Sequence, residues 1–356
     1  MQMNSFYAAL GRPFAPFYSL AMRLREHLYR RGVFRTHRLG VPVISVGNLT
    51  MGGTGKTPMV QYLARLLQRY GHHPAVISRG YGGASRQPVN LVSDGTTLLL
   101  NAHEAGDEPR LLAETLPGVP VLTGVVRHMP ARRALEMGAD VLVLDDGFQH
   151  MAVARDVNLA LFNADHLAGN SRVFPGGELR EPVAALRRAT AFVLTGVRED
   201  NRERAGRFGE LLCSRFPGIP VELTGFVPDG LVQLSPDGML EETDPSLLSR
   251  QGWFAFCGIA HPERFRRTLE SAGINVVGME SLDDHQRYTE AVIERLAAHA
   301  QRAGAEGLLT TEKDLVKLGE HRAALSLPVA ALRMRVSADP SFDDLVLKPW
   351  RTERTV

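Results

Sequence analysis

A glycine-rich segment that follows a short apolar run carries the clearest chemistry in this sequence. It consists of eight consecutive residues, Thr50, Met51, Gly52, Gly53, Thr54, Gly55, Lys56 and Thr57. In a loop of this kind, backbone N–H groups and the N-terminus of the following helix bind phosphate oxygens. The lysine balances charge on the β- and γ-phosphates of a nucleotide, and the hydroxyl after it is a Mg²⁺ ligand. The segment therefore predicts a site for ATP and Mg²⁺, with Lys56 as a catalytic group.

One position of this loop departs from the general pattern. The usual phosphate loop begins with glycine, whereas Thr50 occupies that position here. Gly52 and Gly53 leave the backbone free to curl around an anion, so the physical basis of the site survives. The alternative is a glycine-rich turn before an ordinary helix, and the apolar strand before the loop makes that the weaker interpretation.

Two carboxylates stand where the metal-binding partner of such a loop is expected. Asp145 and Asp146 end the apolar run Val141–Leu144, which is typical of a buried parallel strand. A carboxylate at such a strand end holds Mg²⁺ directly or through water. We therefore expect Thr57, Asp145 and Asp146 to hold the metal, and we expect Gln149, a few residues further on, to line the same crevice.

Other polar groups lie where further predicted strands end, which is where open α/β sheets bind ligands. They are Arg79 and Tyr81, Asp107 and Glu108, Arg180 and Glu181, Asp283 to His285, and Thr310 to Asp314. Taken singly, each group is more typical of a turn or a helix cap than of a catalytic site.

The elements that must hold these groups alternate between strands and helices. Strands are predicted at Val41–Val46, Pro74–Ser78, Val119–Thr123, Val141–Leu144, Val157–Phe162 and Ala191–Leu194, and helices at Met59–Tyr70, Pro130–Met137 and Asn201–Phe216. This alternation predicts an α/β fold of the P-loop NTPase type, in which a mostly parallel sheet is flanked by helices.

The second half of the chain predicts a further unit. Residues 217–250 are rich in Gly, Pro and Asp, and their short alternating runs Val221–Leu223 and Leu231–Leu234 indicate a linker that contains a β-hairpin. A second, smaller α/β domain begins near Trp253. The predicted division is an N-terminal segment of residues 1–38, a phosphate-loop domain of residues 39–216, the linker, and a C-terminal domain of residues 251–356.

The composition is that of an ordinary globular protein of two domains. The chain has 356 residues, of which 44% are hydrophobic and 22% are charged, and its net charge is +2. That charge argues neither for nor against nucleic acid as a partner. The two cysteines, Cys213 and Cys257, are far apart, so neither a zinc site nor a disulfide framework is expected.

The N-terminal segment has a different charge balance from the rest of the chain. Residues 1–38 contain seven arginines and one acid, Glu26, with aromatic residues between them. Phe17, Leu20, Leu24 and Leu28 recur at helical spacing. Such a basic amphipathic helix either lies on an anionic membrane surface or packs on its own domain, and the pattern alone leaves both interpretations open.

Taken together, the ordered set of motifs resembles one family, the tetraacyldisaccharide 4′-kinases of lipid A synthesis, from about Pro42 to Lys317. The motifs that carry the resemblance are residues 45–58, 78–83, 106–109, 145–150, 179–182, 258–260, 284–285 and 310–314. The family accepts threonine at the position of Thr50. The rival interpretations are a phosphate-loop ATPase that drives a partner protein and a nucleotide-gated membrane-binding module.

The resemblance implies a reaction and a location. The γ-phosphoryl group of ATP would pass to the 4′-hydroxyl of a glycolipid, tetraacyldisaccharide 1-phosphate, to form lipid IV-A. The family acts as a peripheral protein at the cytoplasmic face of the inner membrane of Gram-negative bacteria, which favours the membrane interpretation of residues 1–38. Neither nucleic acid nor an obligate protein partner is implied.

The resemblance also implies roles for individual residues. Asp107 would receive the proton of the sugar hydroxyl, with His285 as its partner. Arg79, Tyr81, Arg127, Gln149 and Arg180 would face the substrates, and Glu181 would join Asp145 and Asp146 around the metal. Because Asp107 and His285 lie in different predicted domains, their pairing would require a cleft that closes about a hinge near residues 196–250.

Overall fold

The computed structural model describes residues 9–235, 239–244, 252–259, 262–283, 286–319 and 325–351. Within these ranges the strands form two sheets. The eight strands of the first sheet are β1 Val43–Asn48, β2 Pro74–Ser78, β3 Asn90–Ser93, β4 Val121–Thr123, β5 Val141–Leu144, β6 Val157–Asn163, β7 Ala191–Thr195 and β8 Val221–Leu223. The six strands of the second sheet are β9 Gly225–Leu234, β10 Leu240–Thr243, β11 Trp253–Cys257, β12 Val276–Ser281, β13 Gly307–Thr311 and β14 Val329–Ser337.

Helices connect most of the parallel strands. In chain order they are α1 Ala15–Arg30, α2 Lys56–Arg69, α3 Ala102–Ala105, α4 Asp107–Thr115, α5 His128–Glu136, α6 Arg202–Arg215, α7 Pro262–Ser271, α8 Glu290–Arg302, α9 Glu312–Leu318, α10 Pro340–Val346 and α11 Lys348–Arg351. Short 3-10 turns occur at Arg12–Phe14, Val183–Arg188 and Glu199–Asn201. Among the residues described, no helix is long and apolar enough to cross a membrane.

The first sheet has the strand order β3-β4-β2-β5-β1-β6-β7-β8. Every neighbouring pair is parallel except β3 with β4. The central strands β1, β5 and β6 are buried along their whole length, because helices cover both faces of a parallel sheet. The predicted fold class, a mostly parallel P-loop NTPase-like sheet flanked by helices, is confirmed.

The place of β1 in this sheet determines where the glycine-rich loop lies. β1 pairs with β5 on one side, with Ser45 opposite Leu144, and with β6 on the other. Because the three strands are parallel, their carboxyl ends meet at one edge of the sheet. The loop that follows β1 and the carboxylates that follow β5 are therefore neighbours.

The second sheet is mixed, with the order β10-β9-β14-β13-β11-β12. Strands β11 to β14 run parallel to their neighbours among themselves, whereas β9 is antiparallel to both β10 and β14. Apolar side chains of α8 and α9, such as Ile293 and Leu315, pack on one face of this sheet. The sheet thus positions α9, whose Lys317 reaches Asp107 on α4.

The region between the sheets differs in detail from the predicted linker. Val221–Leu223 is the last strand of the first sheet, parallel to β7, and after Thr224 alone the chain enters β9 of the second sheet. A β-hairpin is present, but β9 and β10 form it, with Leu234 opposite Leu240. A run of three residues is too short for its pattern to reveal which sheet it joins. The predicted division at residues 38, 216 and 250 stays a prediction.

The last described helices return to the first sheet. Val336, Phe342 and Val346 are buried in the same apolar cluster as the residues of β1 and α2. The ring of Tyr62 on α2 lies 5.9 Å from that of Phe342, and its hydroxyl donates a hydrogen bond to Asp343. The two sheets are thus joined by the chain twice, through Thr224 and through the end of β14.

Candidate active site

The glycine-rich loop bends sharply before α2. Gly52 and Gly55 have left-handed backbone conformations, with φ of +115° and +77°, which residues with side chains rarely adopt. A Cβ atom at position 55 would also lie 2.5 Å from the ring of Phe226. Glycine is therefore required at Gly55 for two reasons. The loop and the N-terminus of α2 form the type of backbone turn that binds phosphate oxygens.

A strand-like contact explains why threonine is accepted at the first position of the loop. Thr50 is buried and forms an isolated antiparallel bridge with Leu179. The N–H of Met51 donates to the carbonyl oxygen of Glu178 at 2.8 Å. Thr50 is not among the residues with positive φ, so a side chain costs nothing in backbone strain.

Lys56 lies between the loop and the neighbouring strand ends. Its Nζ is 3.2 Å from Oδ1 of Asn48 and 3.6 Å from Oδ1 of Asp146. The loop itself is attached to β7, because the hydroxyl of Thr195 donates to the carbonyl oxygen of Thr54 at 2.8 Å. The lysine and the carboxylates after β5, which the sequence places 90 residues apart, are thus brought into one site.

Asp145 is a buried carboxylate with one unused oxygen. Its Oδ2 accepts a hydrogen bond of 2.9 Å from the hydroxyl of Ser78, whereas its Oδ1 is buried and accepts none. Burial, reinforced by the charges of Glu108 and Asp146, raises the pKa of Asp145 to about 6.

Asp146 has the opposite electrostatic balance. Its Oδ2 accepts a hydrogen bond of 2.7 Å from Nη1 of Arg180. Burial alone would raise the pKa of Asp146, but the positive charges of Lys56 and Arg180 outweigh burial and hold it below its usual value. Asp146 also has a left-handed backbone, with φ of +48°, which turns the chain sharply at the end of β5.

The two aspartates fit a divalent cation. Oδ1 of Asp145 and Oδ1 of Asp146 are both buried without a hydrogen-bond donor, a costly arrangement that a bound cation relieves. Carboxylate and hydroxyl oxygens are ligands that suit Mg²⁺, and Thr57 lies in the first turn of α2. Within the described part of the chain, no three His, Cys, Asp or Glu side chains are grouped closely enough to hold a metal ion. The predicted ligand set stays a prediction.

Glu181, the third predicted acidic ligand, is engaged by arginines. Its side chain is buried, forms an ion pair with Arg188 of the 3-10 turn, and lies 3.8 Å from Nη1 of Arg25 on α1. Arg188 in turn lies 3.2 Å from Glu26. In this arrangement Glu181 fastens α1 to the first domain, and its membership of a metal site stays a prediction.

The predicted substrate arginines differ in burial. Arg127 is buried, and its Nη1 donates to the carbonyl oxygen of Asp146 at 2.9 Å while its Nε has no acceptor. Burial lowers the pKa of Arg127, and the neighbouring aspartates oppose that change. Arg79 and Tyr81 are exposed on the turn after β2. The positive charge of Arg79 adds to the effect of burial in lowering the pKa of Arg127. Arg127 and Arg180 thus place positive charge directly beside Asp146.

Gln149 links the loop to the N-terminal helix. Its side-chain Nε2 donates a hydrogen bond of 2.8 Å to the backbone carbonyl oxygen of Asn48. Its backbone carbonyl oxygen accepts a hydrogen bond of 3.1 Å from Nη2 of Arg25. The next residue, His150, has its pKa lowered to about 3 by burial and by nearby arginines, Arg127 first among them, so the ring is neutral at physiological pH. Gln149 lies at the predicted crevice, and its contact with substrate stays a prediction.

Asp107 is the first residue of α4 and follows Gly106, whose φ is +94°. Its Oδ2 lies 3.4 Å from Nζ of Lys317 on α9. Helix α9 packs on the second sheet. The predicted partner of Asp107, His285, lies outside the described residues. Their pairing, and the closure of a cleft about a hinge, stay predictions.

Two basic residues of the second half were not identified from the sequence. Lys317 reaches Asp107, and Arg264 on α7 donates through Nη1 to the carbonyl oxygen of Gly53 at 3.4 Å and through Nη2 to Oδ1 of Asn163 at 2.9 Å. Lys317 stands one helical turn after Asp314, a spacing that was available as a signal. Nothing near Arg264 in the sequence distinguishes it from a surface arginine.

Comparisons with known proteins agree on one family. The family model LpxK, described as tetraacyldisaccharide-1-P 4'-kinase, matches residues 7–351. The tetraacyldisaccharide 4'-kinase of Desulfotalea psychrophila is 46% identical over 349 residues, 98% of this chain and 98% of the relative. The enzyme of that name from Syntrophus aciditrophicus is 44% identical over 352 residues, 97% of this chain and 94% of the relative.

A solved structure shows the same fold. It is an "apo" form of LpxK from Aquifex aeolicus in complex with ATP, which is 33% identical and matches with a TM-score of 0.77 over 94% of this chain and 97% of that chain. Similarity of this extent in sequence and in structure spans both sheets and the loop between β1 and α2. The chain belongs to the tetraacyldisaccharide 4′-kinase family.

Proposed function

We propose that this protein transfers the γ-phosphoryl group of ATP to the 4′-hydroxyl of tetraacyldisaccharide 1-phosphate, forming lipid IV-A in lipid A biosynthesis. The observation that carries the proposal is the continuous chain of charges from Lys56 through Asp146 to Arg180 at the phosphate loop. Phosphoryl transfer depends mainly on positioning and on charge stabilisation, which such a chain supplies. Membership of the family identifies the acceptor.

On the donor side, the loop and Lys56 bind the phosphates of ATP. Thr57, Asp145 and Asp146 would hold Mg²⁺, which when bound supplies positive charge to the β- and γ-phosphates. Lys56 and Arg180 lie on either side of Asp146 and add positive charge beside the transferred group. The buried Arg127 donates a hydrogen bond to the backbone carbonyl oxygen of Asp146 and so helps to hold this aspartate in place.

On the acceptor side, Asp107 is the proposed base. A sugar hydroxyl is a weak nucleophile, and a carboxylate within hydrogen-bond reach orients it and accepts its proton. Asp107 is suited to this role because Gly106, which precedes it, packs against the turn after β2, and Ser78 at the end of β2 donates a hydrogen bond to Asp145. Its side chain is 25% exposed, so an acceptor can approach it.

We further propose that α1 holds the enzyme on the anionic surface of the inner membrane, at its cytoplasmic face. No residue of α1 is buried, and Phe17, Leu20 and Leu24 are 72%, 66% and 56% exposed. The opposite side is attached to the domain by polar contacts, such as the hydrogen bond from the Tyr18 hydroxyl to the carbonyl oxygen of Arg180. An exposed apolar face beside arginines favours binding to a bilayer that contains anionic lipids.

Acceptor dependence of ATP turnover tests the proposed function. The purified protein is incubated with ATP and Mg²⁺, with and without tetraacyldisaccharide 1-phosphate in detergent, and ADP is measured. A kinase releases ADP in proportion to phosphorylated acceptor, and release is small without acceptor. Equal ADP release in both reactions would indicate an ATPase and reject the proposal. A Lys56→Ala preparation controls for contaminating activity.

A further inference from the structure

Helix α4, which begins with Asp107, is held by both sheets. Leu112 packs in the core of the first sheet. On the other side, Leu111 shares a small apolar cluster with Val316 of α9, and Oε2 of Glu114 accepts a hydrogen bond of 3.2 Å from the N–H of Leu240. The second sheet and its helices therefore help to determine where the N-terminus of α4 lies.

A buried lysine sits at the point where α9 meets this N-terminus. Nζ of Lys317 lies 3.4 Å from Oδ2 of Asp107 and 3.3 Å from Oδ1 of Asp314, and only 8% of its side chain is exposed. A buried ammonium group is tolerated only where opposite charges accept its protons. Because an ammonium group has three donors, Lys317 can bridge the two carboxylates at once.

The second carboxylate of this bridge is firmly anchored. Asp314 is completely buried, and its Oδ2 accepts hydrogen bonds of 2.9 Å from the N–H of Gly258 and 2.8 Å from the hydroxyl of Thr311. The ring of Tyr288 lies 5.8 Å from Nζ of Lys317 and walls the ammonium group on another side. A series of hydrogen bonds and ion pairs thus leads from Gly258, just after β11, through Asp314 and Lys317 to Asp107.

We propose that Lys317 is a positioning residue for phosphoryl transfer: from the second domain, its ammonium group fixes the orientation of the Asp107 carboxylate toward the acceptor hydroxyl. The inference rests on the proposed function, in which Asp107 is the base. In that step the acceptor O–H bond breaks and its proton passes to Asp107. The acceptor oxygen bonds to the γ-phosphorus of ATP, whose bond to the bridging oxygen breaks to release ADP. Lys317 touches none of the reacting atoms.

A double-mutant cycle between Lys317 and Asp107 tests the inference. Acceptor phosphorylation is measured for wild type, Lys317→Met, Asp107→Asn and the double variant, at saturating acceptor and varied ATP. Lys317→Met is expected to lower kcat about tenfold or more and to leave KM for ATP within about twofold, because the residue acts on the base and not on the nucleotide. In the Asp107→Asn background, Lys317→Met is expected to lower kcat by less than about twofold, since the group it orients is gone.

Two further variants separate positioning from folding. Lys317→Met leaves Asp314 buried without its ammonium partner, so a Lys317→Met/Asp314→Asn variant is measured beside it and is expected to bind ATP normally and to show the same loss of kcat. Lys348→Met, on α11, is the matched lysine control and is expected to keep wild-type kcat.

Two results would overturn the role of Lys317. One is wild-type kcat in the Lys317→Met protein. The other is a Lys317→Met substitution that lowers kcat by the same factor whether position 107 is aspartate or asparagine. Failure of the proposed function looks different, because the wild-type protein would then phosphorylate no acceptor at all. Failure of Asp107 as the base is also distinct, because Asp107→Asn would then keep wild-type turnover whatever happened at Lys317.

Discussion

The donor and acceptor sides of the candidate site are built in different ways. The donor side consists of a loop and two carboxylates at the ends of adjacent parallel strands, β1 and β5, within one sheet. The acceptor side places Asp107 at the N-terminus of a helix that both sheets hold, with Lys317 reaching it from the second. The donor side is therefore built within one sheet, whereas the acceptor side depends on how the two sheets and their helices meet.

This difference matches the demands of the two substrates. ATP brings its own charges and needs a preformed cradle of N–H groups, lysine and metal ligands. A glycolipid approaches from a membrane surface, so its reactive hydroxyl must be admitted and then oriented. Residues that the helices of both sheets contribute jointly, such as Asp107 and Lys317, are suited to orienting that hydroxyl.

The largest effect is expected on the donor side. Lys56→Ala removes the ammonium group that lies between the loop and Asp146. Its charge stabilises the transferring phosphoryl group, so kcat should fall by about 10³-fold and ATP should bind more weakly. Acceptor phosphorylation and isothermal titration with ATP measure the two quantities. Lys348→Ala is the control, and a Lys56→Ala enzyme with near wild-type kcat would remove the lysine from the mechanism.

A different pattern of loss is expected on the acceptor side. Asp107→Ala removes the proposed base without touching the loop, so kcat should fall by about 10²- to 10⁴-fold, as for other general bases. Affinity for ATP should stay near the wild-type value. The contrast with Lys56→Ala is the test: parallel losses of ATP affinity in both variants would show that the two sides are not separable.

A smaller effect is expected at α1, the helix that we propose binds the membrane surface. Replacing Phe17 and Leu20 by serine removes two exposed apolar side chains from α1. Each is worth about 1.5–3 kcal/mol when buried in an apolar phase, so binding to vesicles that contain anionic lipid should weaken by at least about tenfold. Co-sedimentation measures the binding, and Tyr70→Ser, which alters an exposed aromatic residue at the C-cap of α2, is the control. Unchanged sedimentation would assign α1 to the protein's own packing.

The smallest effect concerns stability at Asp145, one of the carboxylates that are proposed to hold the metal. The pKa of Asp145 is raised to about 6 in the folded protein, above the value of ~3.9 for an unfolded aspartate. The folded state therefore binds this proton more tightly, and stability falls as pH rises from about 4 to about 6. In EDTA, Asp145→Asn should raise Tm by a few degrees, about 2–4 °C, at neutral pH.

The sign of that change is checked at two pH values. The gain in Tm for Asp145→Asn should be much smaller near pH 4, where the folded aspartate is protonated and only about half of the unfolded aspartates are ionised. Glu136→Gln, which alters a side chain that is 64% exposed, should change Tm little at either pH. A gain that is larger at pH 4 than at neutral pH would contradict the raised pKa.

The donor side could be predicted because its signal is local. A buried apolar strand, a glycine-rich turn and a helix start within a few residues specify the loop, and the run Val141–Leu144 places Asp145 beside it once the sheet is known to be parallel. The departure at Thr50 is explained only by the structure, through its pairing with Leu179, which is distant in the sequence. Six of the eight strands of the first sheet lie close to their predicted bounds, whereas β3 was not predicted and β8 was assigned to the linker.

The acceptor side resisted prediction because its contacts join distant parts of the chain. Lys317 meets Asp107 across 210 residues, a pairing that no periodicity encodes. Glu181 was predicted to be a metal ligand. Its ion pairs with Arg188 and Arg25 could not be predicted, because they depend on where α1 packs. The short strand Val221–Leu223 was placed in a linker because three residues do not show which sheet they will join.

The central claim, that one site joins an ATP-binding loop to a base for a sugar hydroxyl, is tested most directly by the position of the phosphate in the product. The protein is incubated with ATP, Mg²⁺ and tetraacyldisaccharide 1-phosphate, and the lipid is examined by tandem mass spectrometry. We predict one added phosphate, located at the 4′ oxygen, in the wild-type reaction and very little in the Asp107→Ala reaction. ADP formation without any newly phosphorylated lipid, or full phosphorylation by the Asp107→Ala protein, would contradict the claim.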